Sequence, residues 1–333
     1  RAGPRGGPDR QVVSEAGPLP RSLRDLDVDF RSMLGGGICG NVYPGRHRAT
    51  GQEVAVKVVS PVLAPPQAHA RHAAGSGSWE DISSGATERE AFDRVLQAGE
   101  AHPHVMEVVG CFDSTGEEAA GLGLELPAEA AAAEPLRFFV MERLSGQSLA
   151  DRILDSKGLP EEEAKEVTRA LCKGLAWLHE QGIAHRDVKP ANVLFGRSDA
   201  AAAPGGHLDD EAPQTGAPPK LIDLSHAGVL PEAGASADPC FDQLLGTAGY
   251  VAPEVLAEKG PYGMQCDVYS LGCTVHAMVS GGKLPRRHPR VGLLTSLPAD
   301  TSPEMQSFLA GLLDREPGDR PTVAEALEDP WLR

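Results

Sequence analysis

A run of small residues near the start of the chain has the composition of a loop that could hold phosphate groups. It reads Gly35-Gly36-Gly37-Ile38-Cys39-Gly40-Asn41-Val42, so Gly35, Gly37 and Gly40 occupy the glycine positions of a G-x-G-x-x-G-x-V pattern. Because glycine has no Cβ, its backbone N–H groups can approach phosphate oxygens closely. The strand-like flanks favour a flap over a nucleotide, although the motif taken alone also fits an ordinary turn.

A single lysine interrupts an apolar strand a short distance further on, in Val54-Ala55-Val56-Lys57. A buried ammonium group is unfavourable unless anions surround it, and phosphate oxygens together with a carboxylate would be suitable partners. The glycine run and this lysine together resemble the protein kinase family. The resemblance implies that Lys57 contacts the phosphates of ATP and that a carboxylate on a helix holds it in place.

Glu88 is the predicted carboxylate partner of Lys57. The residues three, four and seven places after it would share its helix face and are apolar. They are Ala91, Phe92 and Val95. Glu90 is the alternative, but the residues three and four places after Glu90 are charged, so that register places charges where apolar side chains are needed.

The segment His185-Arg186-Asp187-Val188-Lys189-Pro190-Ala191-Asn192-Val193-Leu194 matches the kinase catalytic loop at its functional positions. The resemblance implies that Asp187 accepts or orients the substrate hydroxyl, Lys189 meets the transferring phosphoryl group, and Asn192 binds Mg²⁺. A lysine two residues after the aspartate resembles serine/threonine kinases. A charged surface turn would explain neither the amphipathic helix before this segment nor the motifs after it.

Arg186 stands next to the catalytic aspartate. It resembles the arginine of kinases in which a phosphate on the activation segment pairs with this position. Ser236 or Thr247 is predicted to carry such a phosphate, and an upstream activating kinase would be its source. Cys39, in the glycine run, is either a redox-sensitive thiol or simply a small tolerated residue.

Leu221-Ile222-Asp223-Leu224-Ser225 falls where the family has its metal-binding D-F-G. Asp223 is therefore predicted to bind the Mg²⁺ that bridges the ATP phosphates. Leu224 is apolar, like the phenylalanine that the family has at this position, and its side chain is expected to pack with Phe92, Val108 and the ring of His185. Ser225 replaces glycine and should carry a cost of about 1 kcal/mol or more if the backbone there needs glycine-like angles. This predicts a stiffer switch between active and inactive states.

Three further motifs imply structural roles in the second half of the chain. Gly246-Thr247-Ala248-Gly249-Tyr250-Val251-Ala252-Pro253-Glu254 resembles the end of a kinase activation segment, with Thr247 near Asp187. Glu254 is expected to form a buried ion pair with Arg320. Asp267, on a buried helix, is expected to hold the backbone of the catalytic loop.

Phe138-Phe139-Val140-Met141-Glu142-Arg143-Leu144 is typical of the last strand of the small lobe running into the hinge. The resemblance implies that Met141 borders the adenine pocket and that the backbone of Glu142 and Leu144 bonds the base. Val42, Ala55 and Leu194 would enclose the adenine ring. These residues would also pack as ordinary core without a nucleotide.

The elements that must position these residues change in character along the chain. Residues 28 to 60 show short alternating strands around a Thr50-Gly51 turn, which predicts a hairpin. From about 160 the pattern becomes helical, with an apolar stripe up to Gly182 and a second, almost wholly apolar helix from Cys266 to about Ser280. We expect an α+β, two-lobed kinase fold, in which a small β-rich N-lobe with one main helix lies above a larger α-helical C-lobe.

The predicted domain boundaries follow these changes. Residues 1–24 are predicted to be a disordered leader rich in Gly, Pro and Arg, 25–143 the N-lobe and 144–333 the C-lobe. Stretches at about 61–86, 114–135 and 197–218 have biased composition. They are expected to be surface insertions that lack the apolar content to pack, although a docking role for any of them is an alternative.

Composition limits the classes of partner. The 31 basic and 47 acidic residues give a net charge of −16, which argues against nucleic acid or an anionic membrane as the main partner and favours a basic or neutral protein substrate. Six scattered cysteines form no C-x-x-C pair, so reduced thiols and a cytoplasmic location are expected. No apolar run approaches the roughly 18 residues that span a bilayer.

The sequence therefore favours a serine/threonine protein kinase that uses ATP and Mg²⁺ to phosphorylate a protein hydroxyl. A pseudokinase scaffold is the first alternative, motivated by Ser225, Cys39 and the insertions. A small-molecule phosphotransferase is the second, and the intact 246–254 segment argues against it because that segment forms a peptide-docking surface in the family.

Overall fold

The structure is a computed structural model that describes residues 19–37, 40–60, 85–125, 136–196, 218–230, 240–257, 260–288, 292–294 and 296–333. The expectations for residues 1–18 and for most of the insertions at 61–86 and 197–218 lie outside these residues. Across the described residues the chain forms a β-rich lobe followed by a helical lobe, which confirms the expected α+β architecture.

The small lobe is built on one antiparallel sheet of six strands. The strands are β1 Leu26–Val28, β2 Gly35–Gly37, β3 Gly40–His47, β4 Glu53–Val59, β5 Val108–Ser114 and β6 Leu136–Glu142. Their order is β1-β3-β4-β6-β5, and β2 pairs with β3 at the edge. The β-branched residues of β4 make this strand the buried centre of the sheet, and only its first residue is more than marginally exposed.

Helix α1, Ala86–Ala98, covers the face of the sheet that looks toward the second lobe. Its buried face carries Glu88 together with Phe92 and Val95, whereas Glu90 is exposed. The Phe92 ring packs edge-on against Phe139 of β6 at a centroid distance of 4.8 Å. The helical register thus turns Glu88 toward the sheet.

The other face of the sheet is covered by two segments that sequence patterns did not recognise. Leu23, which precedes β1, is buried, so the ordered lobe begins before the predicted end of the leader at residue 24. Helix α2, Gly116–Gly121, follows β5, and Ala119 and Leu124 are buried in the same cluster. The expectation that about 114–135 cannot pack is therefore wrong for its first part, because alanine and leucine at the right spacing suffice to cover the sheet.

The second lobe contains the remaining helices of the described chain. They are α3 Leu149–Ser156, α4 Glu161–Glu180, α5 Pro253–Ala257, α6 Gln265–Val279, α7 Pro303–Leu312 and α8 Val323–Leu327. Helix α4 buries the predicted apolar stripe, and every residue of α6 from Cys266 to Val279 is buried. Helix α6 therefore forms the centre of the lobe, against which α3, α4 and α7 pack.

Two short strand pairs flank residues 185–192 in the second lobe. These strands are β7 Ile183–Ala184, β8 Val193–Phe195, β9 Pro219–Leu221 and β10 Gly228–Val229. β7 pairs with β10, and β8 pairs with β9, so the segments before and after the catalytic loop are each tied to the segment that carries Asp223. A further pair, β11 Arg286–His288 and β12 Gly292–Leu294, follows α6.

One carboxylate joins three distant parts of the second lobe. Glu161, in the first turn of α4, accepts hydrogen bonds from the Ser302 backbone N–H at 2.9 Å, the Ser302 hydroxyl, and Trp331 Nε1 at 2.9 Å. Arg169, further along the same helix, donates to the Leu332 carbonyl oxygen. The start of α7 and residues 331–332 are thereby fixed to α4.

Cysteine pairing and membrane spanning can be assessed over the described ranges. No disulfide joins any of the five cysteines within these ranges, and Cys39 lies outside them. Among the same residues, no helix has the length and apolar character that a membrane crossing requires.

Candidate active site

The glycine run forms the edge hairpin of the small lobe. Gly35, Gly36 and Gly37 of β2 pair with Val42, Asn41 and Gly40 of β3, while Ile38 and Cys39 lie outside the described residues. Gly40 has a φ of +145°, and a Cβ added there would lie 2.4 Å from the Val58 carbonyl oxygen. This position therefore requires glycine for backbone conformation and for space.

Lys57 lies at the centre of a three-residue charge cluster. Its Nζ atom is 2.9 Å from both carboxylate oxygens of Glu88 and 3.1 Å from Oδ1 of Asp223. The Lys57 and Glu88 side chains are 8% and 2% exposed, whereas the Asp223 side chain is 37% exposed. Residues from β4, α1 and the loop after β9 therefore meet in the cleft, and of the three only Asp223 opens toward solvent.

One ammonium group bonds to two carboxylates in this cluster, and the pKa values of these carboxylates are shifted in opposite directions. Burial raises the pKa of Glu88 to about 7, because the attraction of Lys57 does not offset desolvation and the nearby Asp223 charge adds to the effect. Burial also acts on Asp223, but there the Lys57 charge and the neighbouring hydrogen bonds prevail and hold the pKa below its ordinary value. Asp223 is thus the carboxylate that stays ionised in the nucleotide-free cleft.

Asp187 is surrounded by donors. Its Oδ2 accepts hydrogen bonds from Lys189 Nζ at 2.6 Å and from Asn192 Nδ2 at 3.0 Å, and its Oδ1 accepts one from the Thr247 hydroxyl at 2.7 Å. Burial would raise the pKa of this carboxyl, but the charges of His226 and Lys189 and the hydrogen bonds from Lys189 and Thr247 hold it below the ordinary value. Asp187 is therefore ionised at neutral pH and can accept a hydrogen bond from a hydroxyl.

The backbone around Asp187 is held from beneath by α6. The Asp267 carboxylate accepts hydrogen bonds from the backbone N–H of His185 at 2.8 Å and of Arg186 at 2.7 Å, and His179 Nε2 lies 2.9 Å from it. Asp267 is fully buried. These bonds support Arg186 in a left-handed conformation with φ of +61°, which a residue other than glycine rarely adopts.

The residues after β9 hold Asp223 in the cleft. Asp223 itself has a φ of +65°, whereas Ser225 is not among the described residues with positive φ. The backbone cost expected for Ser225 in place of glycine therefore does not arise in this conformation, because the left-handed residue is Asp223. Leu224 is buried in the same core cluster as Phe92 and Val108, and His185 Nε2 lies 3.1 Å from the Ile222 carbonyl oxygen.

The segment from 246 to 254 is anchored at both ends. Near its start, the Thr247 hydroxyl contacts Asp187 and accepts a hydrogen bond from Lys189 Nζ at 2.6 Å. At its end, both oxygens of Glu254 accept hydrogen bonds from Arg320, and the Arg320 side chain is 0% exposed. Thr247 is thus engaged at Asp187, and no hydrogen bond joins it to Arg186 within the described residues, so the structure gives no support to Thr247 as the carrier of a phosphate for that arginine.

The hinge segment lies at the end of β6. Ala55 of β4 lies opposite Met141 of β6, and both are buried in one cluster with Val42 at its edge. Leu194 is half-buried on β8 and pairs with Ser148 across the cleft floor. The Glu142 N–H donates to the Glu107 carbonyl oxygen at 2.9 Å, so only its carbonyl oxygen is left for a base. Leu144 follows as a half-buried residue.

Comparison with known families fits this geometry. The family model described as "Protein kinase domain" matches residues 28–332. The chain belongs to the protein kinase family. The recognition made from the glycine run, Lys57 and the catalytic loop is thereby confirmed, and the two lobes described above are the two lobes of a kinase.

Several curated kinases resemble the chain. CBL-interacting protein kinase 9 of Oryza sativa subsp. japonica is 33% identical over 59% of this chain and 40% of its own length. Hormonally up-regulated neu tumor-associated kinase homolog A of Xenopus laevis is 27% identical over 90% and 37%. CBL-interacting serine/threonine-protein kinase 14 of Arabidopsis thaliana is 28% identical over 90% and 57%. The chain spans less than two thirds of the length of each of these relatives.

Two residues near the kinase cleft were missed by the sequence motifs. His226 directly follows Ser225, and its Nδ1 lies 3.8 Å from Asp187 Oδ2 and 3.2 Å from the Ser225 hydroxyl. Burial lowers the pKa of this imidazole despite the nearby carboxylates. Behind the hinge, Lys220 Nζ lies 2.5 Å from Oε1 of Glu142. The position of a histidine immediately after the predicted metal-binding motif was the one sequence signal for His226, and Lys220 gave none.

The oxygen atoms that the site offers suit Mg²⁺, which prefers oxygen ligands. Asn192 donates through Nδ2 to the Asp187 backbone carbonyl at 2.9 Å, which leaves its Oδ1 as the atom to face a cation. Asp223 uses Oδ1 for Lys57 and the Ser225 N–H, and no described residue bonds its Oδ2. These two oxygens fit a magnesium site.

Proposed function

We propose that the chain is an active serine/threonine protein kinase, which transfers the γ-phosphoryl group of ATP to a hydroxyl of a protein substrate. The single observation that carries this proposal is the cluster around Lys57: one buried ammonium bonded to Glu88 and to a solvent-open Asp223. His226 lies beside Asp187, and the charges of both Asp187 and Asp223 act on the pKa of its imidazole. The two carboxylates therefore border the same part of the cleft.

The chain's own residues divide the work of binding between the lobes. The hairpin of Gly35, Gly37 and Gly40 would cover the phosphates, and Lys57, held by Glu88, would contact them. The adenine pocket would be formed by Val42, Ala55, Met141 and Leu194, with the backbone of Glu142 and Leu144 bonding the base. Asn192 and Asp223 would hold Mg²⁺, which supplies charge neutralisation along the phosphates.

The second lobe would orient the acceptor hydroxyl. Asp187 is ionised and would accept the hydrogen bond of that hydroxyl and finally its proton, while Lys189 would balance negative charge on the transferring group. Lys189 and Thr247 support serine and threonine as acceptors, and one relative is named a serine/threonine-protein kinase. The remaining roles would be structural: Asp267 holds the loop, and Glu254 with Arg320 holds the activation segment.

A catalytically weak pseudokinase that acts as a nucleotide-binding scaffold is the second candidate. It is favoured by Ser225 in place of glycine and by the complete burial of the Asp187 side chain, which is 0% exposed. The complete set of Lys57, Asp187, Asn192 and Asp223 argues for activity, since a scaffold has no chemical need for all four.

A peptide-library phosphorylation assay with labelled ATP and Mg²⁺ separates the two candidates. The parent chain should label serine or threonine peptides, and Asp187→Asn should lower kcat by about a hundredfold or more while nucleotide binding persists. Nucleotide binding without labelling in the parent chain would support the scaffold. Labelling that survives in Asp187→Asn at the parent rate would contradict the proposed role of the aspartate.

The proposed partners follow from the same assignment. They are a protein substrate with a serine or threonine acceptor and, as the alternative considered below, an upstream kinase that phosphorylates Ser236; neither nucleic acid nor a membrane is proposed. The cytoplasm is the proposed compartment, because the described cysteines form no disulfide and thiols persist in reducing surroundings.

A further inference from the structure

Arg186 connects the catalytic loop to the activation segment. Its backbone N–H is held by Asp267, and the next residue is Asp187. The residue is 5% exposed, so its guanidinium group has left water almost completely. A buried guanidinium needs acceptors for its N–H groups, and the identity of those acceptors determines what holds the loop in place.

The acceptors of Arg186 in the described chain are neutral. Its Nε donates to the His226 carbonyl oxygen at 2.6 Å, its Nη2 to the Ala227 carbonyl oxygen at 2.9 Å, and its Nη1 to Oε1 of Gln243 at 2.6 Å. None of the ion pairs formed by the described residues includes Arg186. Gln243 is thus the one side chain of the described activation segment that accepts a short hydrogen bond from this cation.

Gln243 is itself held in place by its neighbours. The Tyr262 hydroxyl donates to the Gln243 backbone carbonyl oxygen at 2.7 Å. Two residues earlier, Phe241 pairs with Tyr262 through backbone hydrogen bonds of 2.7 and 3.0 Å, and the centroid of its ring lies 4.8 Å from Cζ of Arg186. Gly228 leaves room for this arrangement, since a Cβ there would lie 2.5 Å from the Phe241 ring and 2.9 Å from Cζ of Arg186.

The serine and threonine residues of the segment limit how an anion could replace this contact. Between Asp223 and Glu254 they are Ser225, Ser236 and Thr247. Ser225 is 2% exposed, and Thr247 is bonded to Asp187 and Lys189. Ser236, which lies outside the described residues, is therefore the hydroxyl on which a phosphate for Arg186 would depend.

We infer that Gln243 is a positioning residue, which fixes the guanidinium of Arg186 and through it the catalytic loop, so that the active arrangement forms without a phosphate on the activation segment. The inference rests on the proposed kinase function. Hydrogen bonds to a charged donor are roughly twice as strong as neutral ones, so a neutral amide oxygen can hold a cation that is already enclosed by carbonyl groups and an aromatic ring.

The test uses the complete chain, treated with phosphatase and shown by mass spectrometry to carry no phosphate. Four variants are compared: Gln243→Leu, which removes the acceptor; Gln243→Glu, which restores it; Asp242→Asn, an exposed neighbour; and Ser236→Ala. We expect Gln243→Leu to lower kcat at least about tenfold with the KM for ATP within about twofold, and Gln243→Glu to recover kcat to within about threefold. Asp242→Asn and Ser236→Ala should match the parent.

Three results would overturn the inference: a dephosphorylated parent that becomes active only after phosphorylation, a Ser236→Ala variant that is inactive although the parent is active, or a Gln243→Leu variant as active as an active parent. Amide hydrogen exchange of residues 240–252 gives a second readout that needs no kinase activity. Protection that is lost in Gln243→Leu and regained in Gln243→Glu supports the inference, and equal protection in all three contradicts it. If the parent is inactive in every state but protection is lost in Gln243→Leu and regained in Gln243→Glu, the proposed function is rejected and the positioning role of Gln243 is retained.

Discussion

Glu254 and Arg320 form a two-pronged ion pair in which each carboxylate oxygen accepts a hydrogen bond of 2.7 Å from a different guanidinium nitrogen. Arg320 also donates to the carbonyl oxygens of Asp314 and Gln265, so its position ties the end of the activation segment to the first residue of α6 and to the loop between α7 and α8. The pair therefore supports the fold of the second lobe.

The Glu254→Ala variant is expected to be less stable by about 3–5 kcal/mol, because it leaves the buried Arg320 charge without its carboxylate. Urea denaturation of the second lobe measures the change. Arg315→Ala is the control, since Arg315 and Glu316 form an ion pair with side chains 73% and 70% exposed, and it should change stability by no more than about 0.5 kcal/mol. Equal losses in both variants would contradict the structural role of the buried pair.

The raised pKa of Glu88 predicts a pH-dependent stability in the nucleotide-free chain. This pKa is 4.5 for an ordinary glutamate and about 7 here, so the folded state takes up a proton that the unfolded state has released. The stability that Glu88 contributes is complete below 4.5 and is lost as pH rises through about 7. The stability advantage of the parent over Glu88→Gln should therefore shrink between about pH 5.5 and about pH 8.

Urea denaturation at the two pH values measures this difference for Glu88→Gln. Glu90→Gln is the matched control on the exposed side of the same helix, and its stability should follow the parent at both values. An advantage of the parent that grows with pH would show that Lys57 stabilises the charged carboxylate more than burial disfavours it.

Ser225 is expected to make the segment after Asp223 stiffer than glycine would. The Ser225→Gly variant should show faster amide exchange over residues 221–229 and a kcat lower by about two- to fivefold, because glycine gains conformational freedom in the alternative states. Ser225→Ala keeps the Cβ and should stay within about twofold of the parent. Unchanged activity and exchange in the glycine variant would reject the stiffening.

Helix α2 is expected to contribute to the stability of the small lobe. Ala119→Asp places a carboxylate in the apolar cluster on the outer face of the sheet and should lower stability by at least about 2 kcal/mol. Ala120→Asp, one residue further on the exposed side of the same helix, should have little effect. Thermal unfolding of the two variants provides the comparison, and equal melting temperatures would mean that α2 does not stay packed on the sheet.

The orientation of a side chain could be predicted from the sequence where apolar residues follow it at regular helical spacing. The apolar residues that follow Glu88 at helical spacing turn it inward, and the structure has Glu88 bonded to Lys57 while Glu90 is exposed. The apolar character of α6 similarly marked the centre of the second lobe, and the order of the motifs gave the family.

Contacts that depend on turns or on segments distant in the sequence could not be predicted from local sequence patterns. His226 lies close to Asp187 in the segment that follows the left-handed residue Asp223, and no sequence periodicity predicts that backbone conformation. The same conformation removes the expected penalty at Ser225. Leu23 and Ala119 lie in segments whose composition suggests solvent exposure, yet each places one apolar side chain against the sheet.

The carboxylate of Glu161 has a consequence for how the second lobe can be completed during protein synthesis. Its partner Trp331 lies 170 residues later in the chain, so the beginning of α4 emerges from the ribosome long before its indole donor exists. Contacts of such sequence separation form late in folding. The Glu161 carboxylate therefore remains hydrated until α7 and Trp331 have been translated. Nascent chains stalled before residue 331 should therefore remain easier for proteases to cut at the start of α4 than the released protein.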